Sequence, residues 1–528
     1  MKKFLLFLMI TLLMGAVKAQ DWEWVKGFDV VEGRQDARKI CFNQQHIYVL
    51  AYQDGKSKII NTTLDTGYFI LKYDIDGNFI WGKNYSGIIE DITTDNNSNF
   101  YLVGLFTVQL SFNSISILSL GSSDAFLAKF NPEGDCIWAK PIGNDENKEI
   151  ASSVGVDIKG NIYFGGQIFG DYLIENNTIN NDKKSWAYLI KLDKNGEFIW
   201  HLNDSINNHN GAKIKVGPDN YIFLSSYSTL STLEPGCYAY CGKNIIFKIK
   251  PSGEEIQIIQ FSFTWASVDF ISYNSKITSL NMKTRYNYGD RSIYDQLSNG
   301  TSNLRKDVGK YYNGYYTNFI TAQNEEDIII SGAIKKNVYM NFDTVYFDSH
   351  YIVPDTMERL LLAGISKDNK FQWAITSEGD GCNKITDIIS DRKGNSYVIG
   401  NYNRTDYYCT EGNRNLVLGS FKLNTSDTLQ RLFFAKLTTP YKGETTPIIS
   451  ETKIIPLTLN PNPTSSHFTL SFEAEKADVT ITDFSGRIML QRQVKSNENI
   501  STSGFSKGIY FVQVKVGEEV VRRKLVIN

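Results

Sequence analysis

The stretch from Phe69 to Trp81 reads FILKYDIDGNFIW, and it returns as FLAKFNPEGDCIW at Phe126 to Trp138 and as YLIKLDKNGEFIW at Tyr188 to Trp200. Less regular copies are IIFKIKPSGEEIQ at Ile245 to Gln257 and LLAGISKDNKFQW at Leu361 to Trp373. Each copy is an apolar run, a four-residue turn and a second run that in most copies ends in Trp. The turns include Asp74-Ile75-Asp76-Gly77, Asn131-Pro132-Glu133-Gly134 and Lys250-Pro251-Ser252-Gly253. Pro at the second place fits the φ of a type I turn. Gly at the fourth suits the left-handed residue that follows such a turn in a bulged hairpin, and Asn369 takes that place in the last copy. The repeated stretch is a β-hairpin. A calcium loop counted from Asp74 needs Gly at its sixth place and Glu at its twelfth, where Phe79 and Tyr85 stand, so the acidic turn is read as a turn.

A second repeat interleaves with the first: NFYLVG at Asn99, NIYFGG at Asn161 and NSYVIG at Asn395, with weaker copies at His46, Asn220, Lys276 and Asp327. The seven copies lie 51 to 68 residues apart. A period this long, made of two strand pairs, predicts propeller blades of four strands each. Phe433 to Leu437, FFAKL, matches the first half of the hairpin, and no Trp-ended half follows it. That half stands near the other end of the chain, where Trp22-Glu23-Trp24-Val25-Lys26 resembles Ile80-Trp81-Gly82-Lys83. The N-terminal strand is therefore expected to complete the last blade and leave no open edge at the seam.

On these residues the segment 22–437 resembles the bacterial seven-bladed β-propeller repeat proteins, whose units carry the signature AK-x-[DN]-x-x-G-x-x-x-W. The stretch from Asn281 to Phe319 departs from the pattern. There Arg285 to Tyr316 reads as a polar, Tyr-rich insertion in the fifth blade, with Tyr286, Tyr288, Tyr294, Tyr311, Tyr312, Tyr315 and Tyr316 beside Arg285, Asp290 and Arg291. Tyr offers a stackable face and a hydroxyl, so these tyrosines and Arg291 are the candidate binding residues for sugars or peptides, against the plainer reading that they pack over blade edges.

The ends of the chain carry an address. Lys2 and Lys3 precede an apolar run from Phe4 to Val17, with small residues at Val17 and Ala19, so residues 1–19 are read as a signal peptide cut before Gln20. No later stretch is apolar for the length of a membrane span. Residues 20–437 form the propeller, and 438–454, with two prolines and no period, a linker. Residues 455–528 read as a small all-β module with strands at Phe468–Phe472, Val479–Asp483, Ile488–Val494, Ile509–Val516 and Val520–Ile527.

This tail carries Asn460-Pro461-Asn462-Pro463, then Val479 to Asp483 with Gly486, then Gly508 and Tyr510 within Ser506 to Val512, and Lys524-Leu525-Val526-Ile527 at the end. In that order the motifs resemble the type A C-terminal sorting domain of type IX secretion in Gram-negative bacteria. The resemblance implies an immunoglobulin-like sandwich, a partner in the type IX secretion machinery, and a destination at the cell surface or beyond, with the tail usually removed on the way.

With 55 basic and 57 acidic side chains, the chain offers no net field for nucleic acid or an anionic membrane. Export permits disulfides, and Cys237 with Cys241 and Cys382 with Cys409 are the candidate pairs, whereas Cys41 and Cys136 read as small buried apolar residues. Five histidines, His46, His201, His209, His350 and His467, form no metal or nucleophile motif, and no HExxH, GxSxG or P-loop is present. No cofactor, metal site or catalytic constellation is expected. The all-β chain is thus read as an exported binding or adhesion module for a glycan or a surface protein. The competing readings are a polysaccharide hydrolase or lyase acting at one mouth of the ring, and a spacer in a surface assembly.

Overall fold

The computed structural model describes residues 21–144, 148–174, 177–179, 185–203, 209–217, 219–229, 242–254, 256–260, 269–273, 276–285, 288–296, 302–309, 315–322, 327–334, 345–348, 350–352, 358–379, 382–403, 415–425, 429–438, 458–472, 474–483, 487–516 and 519–527. The chain falls into two compact units, Met1–Tyr441 and Lys442–Asn528.

In the first unit the repeated hairpin is the outer half of a four-stranded antiparallel sheet. The first sheet runs Gln35–Phe42, His46–Gln53, Gly67–Asp74, Phe79–Tyr85, so the second sequence repeat is its second strand. Seven sheets with this four-strand order are present among the described residues. Their first strands are Gln35–Phe42, Ile88–Thr94, Ile150–Val156, His209–Val216, Asp269–Tyr273, Tyr315–Ala322 and Lys384–Ser390. These strands touch in that sequence, and the first also touches the last. The sheets therefore stand around a ring, which is the architecture of a β-propeller. Second and third strands that pack both faces on neighbouring sheets are buried along their whole length, as Phe100–Phe106, Ile328–Ile334 and Arg359–Ile365 are.

The seam is made by Asp21–Gly27, which pairs antiparallel with Arg431–Thr438 in the register Trp22 to Leu437, Trp24 to Lys436 and Gly27 to Phe433. The sheet is completed by Asn395–Tyr402 and Lys384–Ser390. Lys436, largely buried, meets Glu23 at 2.8 Å across this joint.

Lys and Trp recur because they grip the hairpin turn of the next sheet. Lys72 Nζ and Trp81 Nε1 both donate to the Pro132 carbonyl in the following hairpin turn, at 2.8 and 3.0 Å. Lys191 Nζ and Trp200 Nε1 do the same to Pro251 at 2.6 and 3.1 Å. The acidic turn residues are spent locally: Asp74 Oδ1 accepts the amides of Asp76 and Asn78, and Asp95, Asp157, Asp193 and Asp391 repeat the arrangement.

Two features depart from the expectation. The stretch expected to be an insertion in the fifth sheet contains the second half of that sheet: Tyr288–Gln296 and Ser302–Gly309 are its third and fourth strands, after Asp269–Tyr273 and Lys276–Arg285. Pairing is a backbone property, so loss of the turn Gly and the terminal Trp erases the signature without erasing the strands. Among the described residues, five short hairpins between second and third strands, such as Ser57–Ile59 with Thr62–Leu64, had no sequence expectation. Three of them pair with chain leaving the preceding sheet, at Asp29 to Lys58, Ile142 to Ile174 and Glu378 to Val417, and so make a second inter-sheet clasp.

In the second unit, Thr458–Asn460, His467–Ser471 and Glu498–Ser501 form one sheet, and Ile488–Lys495, Lys476–Asp483, Gly508–Val516 and Glu519–Ile527 the other. The strands Thr458–Asn460 and Glu498–Ser501 are additions to the five expected. The two sheets enclose one apolar core that includes Phe468, Leu470, Val479, Ile481, Val512 and Leu525. Asn462 Oδ1 accepts the Val526 amide at 2.9 Å, and Thr464 N donates to the Val526 carbonyl at 2.9 Å, so the Asn-Pro-Asn-Pro segment holds the last strand. Gly486 lies outside the described residues, as do residues 1–19. No helix among the described residues is long and apolar enough to cross a membrane.

Candidate binding site in the central cavity

The seven first strands surround a cavity of about 990 Å³. In five of them the pairing with the second strand slips by one residue at the same place, skipping Arg38, Glu90, Ser152, Asn318 and Thr386, and a sixth slips at Gly211. A bulge re-aims the residues that follow it. Its cost in space explains a repeated glycine: a Cβ on Gly104, Gly166 or Gly400, the last residue of the second repeat, would collide with the carbonyl oxygen of Ile88, Ile150 or Lys384.

After the bulge come Lys39, Asp91, Ser153, Phe319 and Asp387, and Lys213 and Asp269 stand at the matching place in the other two strands; all seven line the cavity. The carboxylates tie neighbouring sheets together. Asp91 Oδ2 accepts the Val154 amide at 3.1 Å and the Ser153 hydroxyl at 2.9 Å. Asp269 Oδ2 accepts the Ile320 amide at 3.0 Å, and Asp387 Oδ2 the Ile40 amide at 3.1 Å. Their Oδ1 atoms accept the next amide in their own strands, at Ile92, Phe270 and Ile388. Ser153 Oγ plays the same part toward Ile214 N at 3.0 Å. These residues thus act as inter-sheet staples that also give the cavity its charge.

Two cationic groups face each other within it. Lys213 Nζ and Lys215 Nζ share Asp269 Oδ1 at 2.6 and 3.0 Å. Burial would push the Asp269 carboxyl up, but the two ammonium groups outweigh it and hold it well below the usual carboxylate range. Burial pulls the Lys213 ammonium down; Asp269 opposes this, while the like charges of Lys215 and Lys39 add to it. Lys39 is also drawn down by burial, yet Asp91, Asp387 and Asp269 outweigh that and hold it above its ordinary value. Burial holds the Asp387 carboxyl above its ordinary value. Sequence reading missed all of these residues, because the first strands carry no repeated motif. The available signal was an Asp, Lys or Ser just before an apolar β-branched or aromatic residue, seven or eight residues before the second-strand repeat, in six of the seven sheets.

The sequence candidates lie elsewhere. Tyr288, Arg291 and Tyr294 fall in the third strand of the fifth sheet, and Tyr315 and Tyr316 open the first strand of the sixth. Tyr286, Tyr311 and Tyr312 lie outside the described residues, as do Cys237, Cys241 and Cys409. Cys382 is buried, and Cys41 and Cys136 are free thiols, Cys41 in the cavity wall. In the tail, Asn460, Pro461, Asn462 and Pro463 are exposed before the second strand, Gly508 opens a strand, Tyr510 and Leu525 are buried, and Lys524 lies in the last strand.

Residues 458–528 match the secretion system C-terminal sorting domain. A curated relative, the uncharacterized WD repeat-containing protein L264 of Acanthamoeba polyphaga mimivirus, is 24% identical over 199 residues, 30% of this chain and 14% of that protein. Among solved structures, the acylaminoacyl peptidase of Pyrococcus horikoshii is 10% identical with a TM-score of 0.40, covering 84% of this chain and 59% of that one. The β-propeller domain of the trilobed protease from Pyrococcus furiosus is 11% identical with a TM-score of 0.35, covering 67% of this chain and 99% of that one. The chain spans about 14% of the length of its curated relative and 59% of the peptidase. Strand pairing and the matched tail together define an all-β propeller protein with a C-terminal sorting domain. The chain is cargo of type IX secretion, bound for the cell surface or the extracellular space.

Proposed function

We propose that the exported chain is a binding module rather than an enzyme, and that it takes a glycan or a surface protein at the mouth of the central cavity. What supports this reading is the commitment of the cavity's carboxylates. Asp91, Asp269 and Asp387 each hold a backbone amide of the next sheet. A general acid or base must exchange its proton with substrate, and a carboxylate serving as a staple would loosen the ring each time it did so. In this proposal residues 1–19 are a signal peptide, 20–437 a seven-bladed propeller, 438–454 a linker and 455–528 an immunoglobulin-like sorting domain. The Cys382–Cys409 disulfide belongs to the same proposal, as does a second contact surface on the tyrosines of residues 286–316.

The test combines a glycan and surface-protein array with a polysaccharide-degradation screen on the exported chain. Binding without product is the expected result. Turnover of any polysaccharide would replace this reading with that of a hydrolase or lyase. Tyr288→Ala with Tyr312→Ala tests the second surface on the same array, and unchanged binding removes it.

A further inference from the structure

We infer that the central cavity takes a small carboxylate-bearing ligand, gripped between the ammonium group of Lys39 on one side and those of Lys213 and Lys215 on the other. The inference deepens the binding reading above and rests on it. Its basis is a count of hydrogen-bonding capacity at the bulge level of the cavity. Both oxygens of Asp91, Asp269 and Asp387 already accept backbone amides, and Asp269 Oδ1 accepts two ammonium groups besides. Ser153 Oγ accepts one amide and donates to Asp91. Every carboxylate oxygen at this level is therefore engaged, Asp269 in four bonds, Asp91 in three and Asp387 in two.

Donor capacity at this level is used less fully. An ammonium group carries three N–H donors. Lys213 and Lys215 each direct one at Asp269. No acceptor among the described residues bonds the Lys39 ammonium, although that group lines the cavity and stays charged in the field of three carboxylates. The three carboxylates balance the three ammonium groups in charge, so what Lys39 lacks is a hydrogen-bond acceptor rather than a counter-charge, and a ligand carboxylate is a strong acceptor. Lys39 and Lys213 stand in the first and fourth sheets of seven and repel each other across the space between. A carboxylate between them replaces that repulsion with two charge-assisted hydrogen bonds. Phe319 and Ile40 add apolar wall, and Thr93 and Thr321 add hydroxyls nearer the strand ends, a lining suited to an acid that also carries a ring or hydroxyl groups.

A carboxylate of this size comes from a sugar acid or from a non-sugar organic acid, and the experiment separates the two. Calorimetric titration of the exported full chain uses D-glucuronate, succinate, D-glucose and sulfate as probes. Glucuronate alone binding identifies a sugar acid, and glucuronate with succinate identifies the carboxylate as the group recognised. Lys39→Met is expected to weaken either by about tenfold or more, with Lys39→Arg retaining most of the affinity. Bound carboxylate is also expected to protect Lys39 and Lys213 of the unaltered chain from amine acylation while surface lysines react, a readout that needs no variant. Glucose binding as tightly as glucuronate, sulfate displacing both acids, or carboxylate binding that neither protects Lys39 nor changes in Lys39→Met would overturn the inference. Array binding to neutral glycans without carboxylate binding would sink this inference and leave the binding reading standing; an array with no binding at all would sink that reading too.

Discussion

The indole of Trp24, on the strand that closes the ring, lies directly over Gly77 in the first hairpin turn. A Cβ at Gly77 would come within 2.7 Å of Trp24 Cε2, and the same fit recurs between Trp138 and Gly196 and between Trp200 and Gly253. The seam differs from the joints of Trp81 and Trp200 in the bond its indole makes. Trp81 and Trp200 donate their Nε1–H to a turn carbonyl, whereas Trp24 Nε1 is buried without an acceptor. Trp24 still packs edge-on to Phe434 at 4.7 Å, so its indole adds apolar contact to the strand pairing and the Glu23–Lys436 pair.

That asymmetry separates two substitutions of the same chemistry. Trp81→Phe removes a hydrogen bond and leaves the Pro132 carbonyl with one partner fewer, at a cost of about 1–2 kcal/mol. Trp24→Phe removes an N–H that had no partner, so its loss of packing is partly offset and the net change is smaller. Gly77→Ala meets both the Trp24 ring and a φ of 81°, and is expected to cost more than ~2 kcal/mol. Chemical denaturation of the three variants ranks them; a Trp24→Phe more damaging than Trp81→Phe would show that the seam is held as the Trp81 joint is.

The bulge glycines give a stronger expectation. Gly166→Ala would set a methyl group against the Ile150 carbonyl oxygen, which is backbone and has no rotamer to escape into. Relief requires the first strand to move, and with it Ser153 and its bonds to Asp91 and Ile214. A loss of more than ~3 kcal/mol, or failure to accumulate folded protein, is expected, while Gly504→Ala, with nothing near it, costs about 1 kcal/mol from its φ of 94° alone. Thermal unfolding of the pair checks this, and equal melting temperatures would argue against the bulge as a fixed feature.

A pH dependence follows from Glu149, buried between the second and third sheets with its amide bonded to the Ser123 carbonyl. Burial, then the charge of Asp124, push its carboxyl up to about 8, against the Asn144 groups that favour the charged form. The folded state therefore keeps a proton that the unfolded state has released above the ordinary Glu value of 4.5. Stability from this group falls as pH rises from about 5 to about 8 and is level beyond, by about 4 kcal/mol. Glu149→Gln should flatten that slope and raise the melting temperature at pH 8. A variant that keeps the slope would assign it to another group.

How far the fold can be read from the chain depends on which contacts write themselves into side chains. The hairpins are legible because Trp81, Lys72 and Gly77 each make a contact that few other residues can make, and the partner turns need Pro132 or Pro251 in a fixed place. Closure is legible for the same reason, since Trp24 repeats the Trp81 position. The fifth sheet is hidden, because Lys276–Arg285 and Tyr288–Gln296 pair through backbone with no such mark. The cavity is hidden for a different reason. The position after the bulge accepts Asp91, Ser153 or Lys39 alike, so the site repeats in space without repeating as letters. The inserted hairpins were missed because their strands are only three or four residues long, too short for an alternation to register.

The sorting tail offers a test in which folding and export are read together. Asn462 and Thr464 fix Val526 from one side, while Leu525, fully buried, fills the core shared by both sheets. Leu525→Ala leaves a cavity costing about 2–5 kcal/mol in a domain of some 70 residues, enough to unfold much of it. Asn462→Ala removes one hydrogen bond to the last strand, at about 1 kcal/mol. If the machinery recognises a folded tail, Leu525→Ala should retain the chain in the periplasm, and Asn462→Ala should be exported with a tail that is cut faster by added protease. The measurement is the share of chain reaching the cell surface and medium, set beside tail proteolysis. Normal export of Leu525→Ala with an unfolded tail would mean that the linear order of motifs is the signal, and that the sandwich serves only to shield it.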